Sequence, residues 1–179
     1  MKLKYFSELK RSMEYLAKQK KTLFIGQAVE YPGTAMHNTL SAISKNKKLE
    51  LPVAEEMQMG ITLGLALNGL IPISIYPRWN FLLLAVNQLI NHIDKINDIS
   101  DGEFNPRIII RTAVGSKRPL NPQSQHLGDF TKFFKESCKN INIQKLTKSE
   151  DIFRTYKDAL KSKNKINLIV EVADFYNEK

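Results

Sequence analysis

Cysteine is nearly absent from this chain: Cys138 is the only one in 179 residues. A single thiol excludes an internal disulfide and a thiolate-rich metal site, and its plain reading is a small, partly buried hydrophobe. Long apolar runs are missing too. None approaches the roughly 20 residues needed to span a bilayer. The N-terminal MKLKYFSELKRS holds no apolar stretch of the kind a secretory signal requires, so a cytoplasmic location and no membrane partner are expected. There is no internal repeat and no low-complexity linker. One domain over residues 1–179 is the expectation, with 1–20 as an N-terminal helix and 20–175 as its core.

Acidic side chains are scarce relative to basic ones. Against 27 Lys and Arg stand 18 Asp and Glu, a formal net charge of +9, which raises the question of an anionic partner. The lysines are spread over 2–21, 45–48, 132–148 and 157–165, on segments that read as polar helix faces and connections. No zinc-finger spacing, aromatic–basic strand pattern or long basic tail accompanies them. The excess therefore reads as solvated surface, or as docking to an acidic subunit, and not as a nucleic-acid interface.

What is present is the pattern of a globular α/β chain, with 42% hydrophobic and 25% charged residues. Apolar groups at Phe6, Leu9, Met13, Leu16 and Ala17 recur at helical spacing over 4–20. Strands are predicted over 22–26, 49–53, 71–76, 106–114, 141–146 and 166–172. Helices are predicted over 36–44, 55–68 (capped by Gly69), 80–97, 129–137 and 149–161. Ile108-Ile109-Ile110 is an unbroken apolar run, as a strand covered on both faces requires. The alternation predicts a doubly wound, mostly parallel sheet with helices on both faces. Ligands gather at the carboxyl ends of such strands. Residues 27–33, Ala54-Glu55, 76–81 and 115–126 then share one functional edge.

The most informative stretch runs from Pro52 to Gly64. Glu55 leaves a strand and enters a helix, which puts its carboxylate on that edge. A helix-start acid favoured by the macrodipole is the plain reading of such a residue. Gly60 and Gly64 demand more, because each mid-helix glycine costs about 1 kcal/mol against alanine. At spacing i, i+4 they line one face and let a second helix approach closely, either inside the domain or across a subunit interface.

Glutamate, four residues, glycine, a large apolar residue, two residues and glycine (here Glu55, Gly60, Ile61, Gly64) resembles the motif of the pyrimidine-binding domain of thiamine diphosphate enzymes. The wider order resembles the beta subunit of pyruvate dehydrogenase-type 2-oxo acid dehydrogenases. It comprises Ile25-Gly26, Pro52 to Glu55, Gly69 to Pro72, Asn80-Phe81, Gln88 to Asn91 with Lys95, Ser100-Asp101-Gly102, Ile110-Arg111 with Gly115, and Gln125-His126. The resemblance extends over about residues 20–175 and implies the thiamine diphosphate-binding fold of pyrimidine type.

Several roles follow from the resemblance. The Glu55 carboxyl would hydrogen-bond a ring nitrogen of the aminopyrimidine and favour the imino tautomer, whose nitrogen takes the thiazolium proton. Glu56 is the rival for this role, but the glycine spacing selects Glu55. Trp79 falls where the family has an aromatic against the pyrimidine ring, with Phe81 as a second aromatic packed nearby, a stacking surface worth about 0.5–1.5 kcal/mol. His126 falls where the family's histidine reaches the substrate or the acyl-transfer partner. His37 and His92 gain no such support. Arg78 and Arg118 are the candidates for meeting a substrate carboxylate.

Departures limit the resemblance. Gln27 and Ala28 stand where the family has acids. Ile108, Ala159 and Asn164 match positions of a structural monovalent cation in some relatives, but Ser162 replaces the aspartate, so that ion is not expected. Ser100-Asp101-Gly102 precedes a strand already assigned to the pyrimidine domain and is not a metal site. With no diphosphate-and-magnesium motif and no second domain expected, the chain is half a site. A separate alpha-type subunit would then carry the diphosphate and most of the Mg2+ contacts, in an α2β2 assembly. Decarboxylation or acyl transfer at a 2-oxo acid is the leading activity. A split transketolase-like or acyloin-forming subunit acting on a ketose, and a non-catalytic scaffold or regulator, are the alternatives.

Overall fold

The computed structural model describes residues 4–117, 121–161 and 165–177. Its centre is a six-stranded, all-parallel sheet in the order β2-β1-β3-β4-β6-β5. The strands are β1 (Thr22–Gly26), β2 (Lys48–Glu50), β3 (Ile71–Ile75), β4 (Ile108–Val114), β5 (Asn142–Lys145) and β6 (Ile166–Val172). β4 and β6 form the longest ladder, with Ile108 opposite Ile166 and Val114 opposite Val172. The doubly wound parallel architecture expected from the alternating pattern is the one observed.

Side chains alternate across the pleat and feed two cores. Phe24, Ile73, Ile75, Ile109 and Ile169 pack with Leu9, Met13, Leu16, Ile152 and Tyr156 on one face. Those partners come from α1 (Tyr5–Ala17) and α7 (Ser149–Lys161). Ile108, Ile110, Leu168 and Val170 face the other way, against Met59, Trp79, Leu82, Leu89 and Phe134. That layer is built from α3 (Glu55–Leu67), a helical segment beginning with α4 (Trp79–Leu82), and α6 (Thr131–Ser137). The short α2 (Ala35–Asn38) follows β1. It is half the predicted length: Thr39 Oγ1 turns back to donate to the Met36 carbonyl at 2.6 Å, and the chain continues as turns.

The long helix predicted over 80–97 is a different object. After α4 come a 3-10 turn (Leu83–Ala85), a π turn (Gln88–Ile93) and α5 (Ile96–Ile99). In the π turn the Asp94 N–H donates to the Leu89 carbonyl, five residues back, at 2.9 Å. The changes of pitch keep Leu82, Ala85, Leu89 and Ile93 all inside the core. They also aim Asp94 inward, where it accepts the Asn140 N–H at 2.8 Å and Lys95 Nζ at 2.7 Å. Periodicity alone cannot reveal such a mixture, because apolar residues at spacing three and four fit every version of it. Ser100-Asp101-Gly102 closes the segment as a tight turn, with Asp101 and Gly102 at positive φ.

Cys138 ends α6 and is buried, with its thiol pushed up to about 11 by burial and by the nearby Asp94 charge, against a lowering pull from Lys95. At pH 8 the native thiol should therefore react with an alkylating reagent on the order of a hundredfold more slowly than the thiol of the urea-unfolded chain. Equal rates in the two states would contradict this placement.

Candidate active site

Strand order reverses between β1 and β3, and the loops leaving their carboxyl ends flank the site. Gly26 ends β1 with φ +147, and a Cβ there would sit 2.5 Å from the Ile75 carbonyl oxygen. Only glycine allows this approach of β1 to β3. Beyond it, the Glu50 carboxylate accepts the N–H groups of Ala28, Val29 and Glu30 at 2.6–2.8 Å. One acid from β2 thus holds the loop in which Gln27 and Ala28 lack acids of their own.

α3 starts at Glu55, and its first turn is anchored from below. Gln58 Nε2 donates to the Ile75 carbonyl at 2.9 Å and to Ser74 Oγ at 3.1 Å. Thr62 Oγ1 completes this buried polar cluster at 2.9 Å from Ser74 Oγ. The Tyr76 hydroxyl donates to the Glu55 backbone carbonyl at 3.2 Å. Burial raises the Tyr76 hydroxyl's pKa, a hydrogen bond with Ser74 pulls it back, and the Glu55 charge raises it again. It stays a neutral donor.

Glu55 is 5% exposed, and its carboxylate accepts no hydrogen bond from the described residues. Glu56 differs: it is exposed, and Gln88 Nε2 donates to its carboxylate at 2.6 Å. Glu55 is nearly buried but its carboxylate oxygens reach solvent, so water can satisfy them in the free chain and a ligand donor can take the place of that water. Glu55 borders an open concavity of about 820 Å³, together with Glu56, Met57, Gly60, Ile61, Leu84 and Gln88. Two of its apolar lining residues are uncovered, Leu84 at 63% and Met57 at 44% exposed, and Val53, just before the helix, is 80% exposed.

Neither glycine of α3 serves packing inside the described fold. A Cβ added at Gly60 or Gly64 meets no atom within 4 Å, which excludes the internal of the two packing readings. Gly60→Ala should therefore stabilise the isolated chain by about 1 kcal/mol through helix propensity, read by urea unfolding. Destabilisation would mean that the glycine is needed within the chain.

Phe81 is half-buried, with its ring centroid 5.4 Å from that of His126. His126 ends a 3-10 turn (Gln123–His126), and its carbonyl accepts Arg78 Nη1 at 3.2 Å. Its Nδ1 is buried without a hydrogen-bond partner among the described residues. Arg78, Phe81 and His126 are thus brought together. Trp79 is not with them: it is fully buried, stacked on Phe134 at 4.9 Å and edge-on to Phe130. The face expected for a pyrimidine ring is taken by Phe134, since Trp79 begins α4 pointing into the core. Among the described residues, His126 does not line the concavity that Glu55 borders.

His92 is exposed and His37 half-buried on α2, while Ile108 and Ala159 are core residues. Arg118, Ser162 and Asn164 lie outside the described residues. Tyr76 and Gln58 were missed in the sequence. Their only signal there is a polar group inside otherwise apolar segments.

The six-stranded, all-parallel sheet with helices on both faces has a transketolase-like fold. No family model matches the chain. It resembles the pyruvate dehydrogenase E1 component subunit beta of Chlorokybus atmophyticus, with 26% identity over 97% of this chain and 52% of the relative. The same-named subunit of Gracilaria tenuistipitata var. liui is 33% identical over 68% of this chain and 39% of its own length. Among solved structures, a "Split gene transketolase, inactive beta4 tetramer" superposes with a TM-score of 0.70 at 13% identity, over 96% of this chain and 51% of that one. The chain spans 39–52% of the length of these relatives.

Proposed function

We propose that this chain is the pyrimidine-binding, beta-like part of a thiamine diphosphate-dependent enzyme acting on a 2-oxo acid. The observation that carries this reading is Glu55, a nearly buried residue whose carboxylate makes no hydrogen bond with the described residues and borders an open, mainly apolar concavity. An aminopyrimidine ring fits that chemistry: a ring nitrogen would satisfy the carboxyl, and Leu84, Ile61 and Met57 would exclude water. When bound, thiamine diphosphate supplies an acidic thiazolium carbon that adds to a substrate carbonyl. Glu55 holds the proton exchanged with the ring nitrogen. Tyr76, Gln58 and Thr62 keep the helix start, and with it the carboxylate, in place. Phe81 and His126 form the substrate side, with His126 as the second proton-transfer group. Trp79 acts from behind, fixing the start of α4.

The exposed rim and the open Gly60–Gly64 face support a separate diphosphate-binding, alpha-type chain as the cover, in an α2β2 assembly. Obligate interfaces of this kind are apolar at their centre. The split transketolase neighbour is an inactive beta tetramer, which agrees with a beta part needing a partner. That neighbour also supports a split transketolase-like activity as the second reading.

Two measurements test the proposal. The chain mixed with its diphosphate-binding partner should bind thiamine diphosphate and Mg2+ in calorimetry, while the chain alone should not. Gly60→Leu should leave the chain folded yet stop its co-elution with the partner. A cofactor-free complex, or a complex indifferent to Gly60→Leu, would sink the corresponding part. Turnover with 2-oxo acids against ketose donors separates the two readings.

A further inference from the structure

Asn68-Gly69 is the only place in the chain where an asparagine precedes a glycine, and it stands at the C-terminal end of α3. Such a pair carries its own chemistry. The backbone nitrogen of the glycine can attack the side-chain carbonyl carbon of the asparagine, because no Cβ crowds the approach. A bond from that nitrogen to Cγ closes a succinimide ring, and the Cγ–Nδ2 bond breaks. Ammonia leaves with the proton lost by the glycine nitrogen. Water then opens the ring at either carbonyl and gives aspartate or isoaspartate. The net change is an amide NH2 replaced by OH, and water is the only co-reactant.

The fold restrains both reacting groups. Asn68 is exposed, so access to water is no obstacle. Its Nδ2 donates to the Gly64 carbonyl at 2.8 Å, which holds the side-chain amide back along the helix. The nucleophile is engaged as well: the Gly69 N–H donates to the Ala66 carbonyl at 3.0 Å, and the Leu70 N–H to the Leu65 carbonyl at 3.1 Å. Together these two bonds make a Schellman turn, with Gly69 at φ +83. The Asn68 backbone, at ψ 12, completes the restraint. At that angle the Gly69 nitrogen lies on the side of the Asn68 nitrogen, whereas ring closure needs it turned toward Cβ. Only an opened last turn releases both groups, and helix ends open locally without global unfolding.

We infer that Asn68 is a site of spontaneous deamidation gated by the last turn of α3, shut in the closed helix end and reactive when that turn frays. The product weakens the gate. A carboxylate at position 68 cannot donate to the Gly64 carbonyl, and it puts a negative charge at the helix C-terminus, where the macrodipole disfavours it. The inference does not depend on the reading of Glu55, because it needs neither the partner nor thiamine diphosphate. The test is timed incubation of the full chain in mildly alkaline buffer, folded or unfolded in guanidinium chloride, followed by mass mapping of tryptic fragment 49–78. In the unfolded chain Asn68 acquires the mass of O in place of NH. The folded chain acquires it at least about tenfold more slowly, since the turn must open first. Leu67→Gly weakens that turn from an exposed position; it speeds the folded reaction severalfold and leaves the unfolded one unchanged. Asn68→Gln, whose side chain is one carbon too long for the ring, stays unmodified in both states. Asn68→Asp unfolds at a lower urea concentration than the parent. Equal folded and unfolded rates, a folded rate indifferent to Leu67→Gly, or the same mass shift in Asn68→Gln would each overturn the assignment. An Asn68→Asp chain as stable as the parent would overturn the weakening of the gate.

Discussion

Glu55→Gln, assembled with the diphosphate-binding partner, is expected to lose about 10²–10⁴-fold in cofactor-dependent turnover, the range of a positioned proton-transfer group. The amide keeps the size of the side chain and removes the carboxylate. Its neighbours give the comparison its sharpness. Glu56, one residue on, is exposed and tied to Gln88, so Glu56→Gln should leave turnover close to that of the parent. Tyr76→Phe removes the donor to the Glu55 backbone carbonyl and should fall between the two. Steady-state rates at saturating thiamine diphosphate distinguish lost chemistry from lost binding. Full activity in Glu55→Gln would remove the residue from the mechanism, whatever became of the fold.

The second large effect concerns stability. Arg111 on β4 and Glu171 on β6 form a fully buried ion pair. Arg111 Nη2 also reaches Glu171 Oε2 at 3.0 Å, and Nη1 donates to Thr39 Oγ1 at 2.8 Å. The hydroxyls of Tyr156 and Tyr176 both donate to Glu171. Burial pulls the pKa of the guanidinium down, and the Glu171 charge, with the two tyrosines, more than offsets that and raises it above its ordinary value. Arg111→Met leaves Glu171 buried without its cation and should cost about 3–5 kcal/mol. For a domain of this size that is a fall in Tm of roughly 10–15 °C. Adding Glu171→Leu should recover part of the loss, since the buried charge is then gone, though both tyrosine hydroxyls remain unpaired. Urea unfolding of the single and double variants checks the sign. A single variant within about 1 kcal/mol of the parent would show that the network contributes little.

The network also shows where sequence reasoning stops. Arg111 interrupts the apolar run that follows Ile108-Ile109-Ile110, and in the sequence it looks only like part of a family pattern. Its partner lies 60 residues away, and no spacing rule connects positions on neighbouring strands of unknown register. The same holds for Glu50. From the sequence, Gln27 and Ala28 register as missing acids. Across the β1–β2 ladder the Glu50 carboxylate reaches the N–H groups of that very loop.

Local rules carried most of the architecture. Strand alternation, apolar spacing and the Gly69 cap were sufficient to read a parallel α/β sheet with helices on both faces, because those signals arise from backbone geometry within a few residues. The Glu55 motif was legible for the same reason: the acid, the glycines and the helix are contiguous. Tertiary structure alone decided what surrounds them. It left the Glu55 carboxylate unbonded and turned Gly60 and Gly64 toward open space, it took Trp79 into the core against Phe134, and it set Arg78 beside Phe81 and His126. Those facts depend on contacts between segments far apart in the chain, where packing, and not local preference, selects the arrangement.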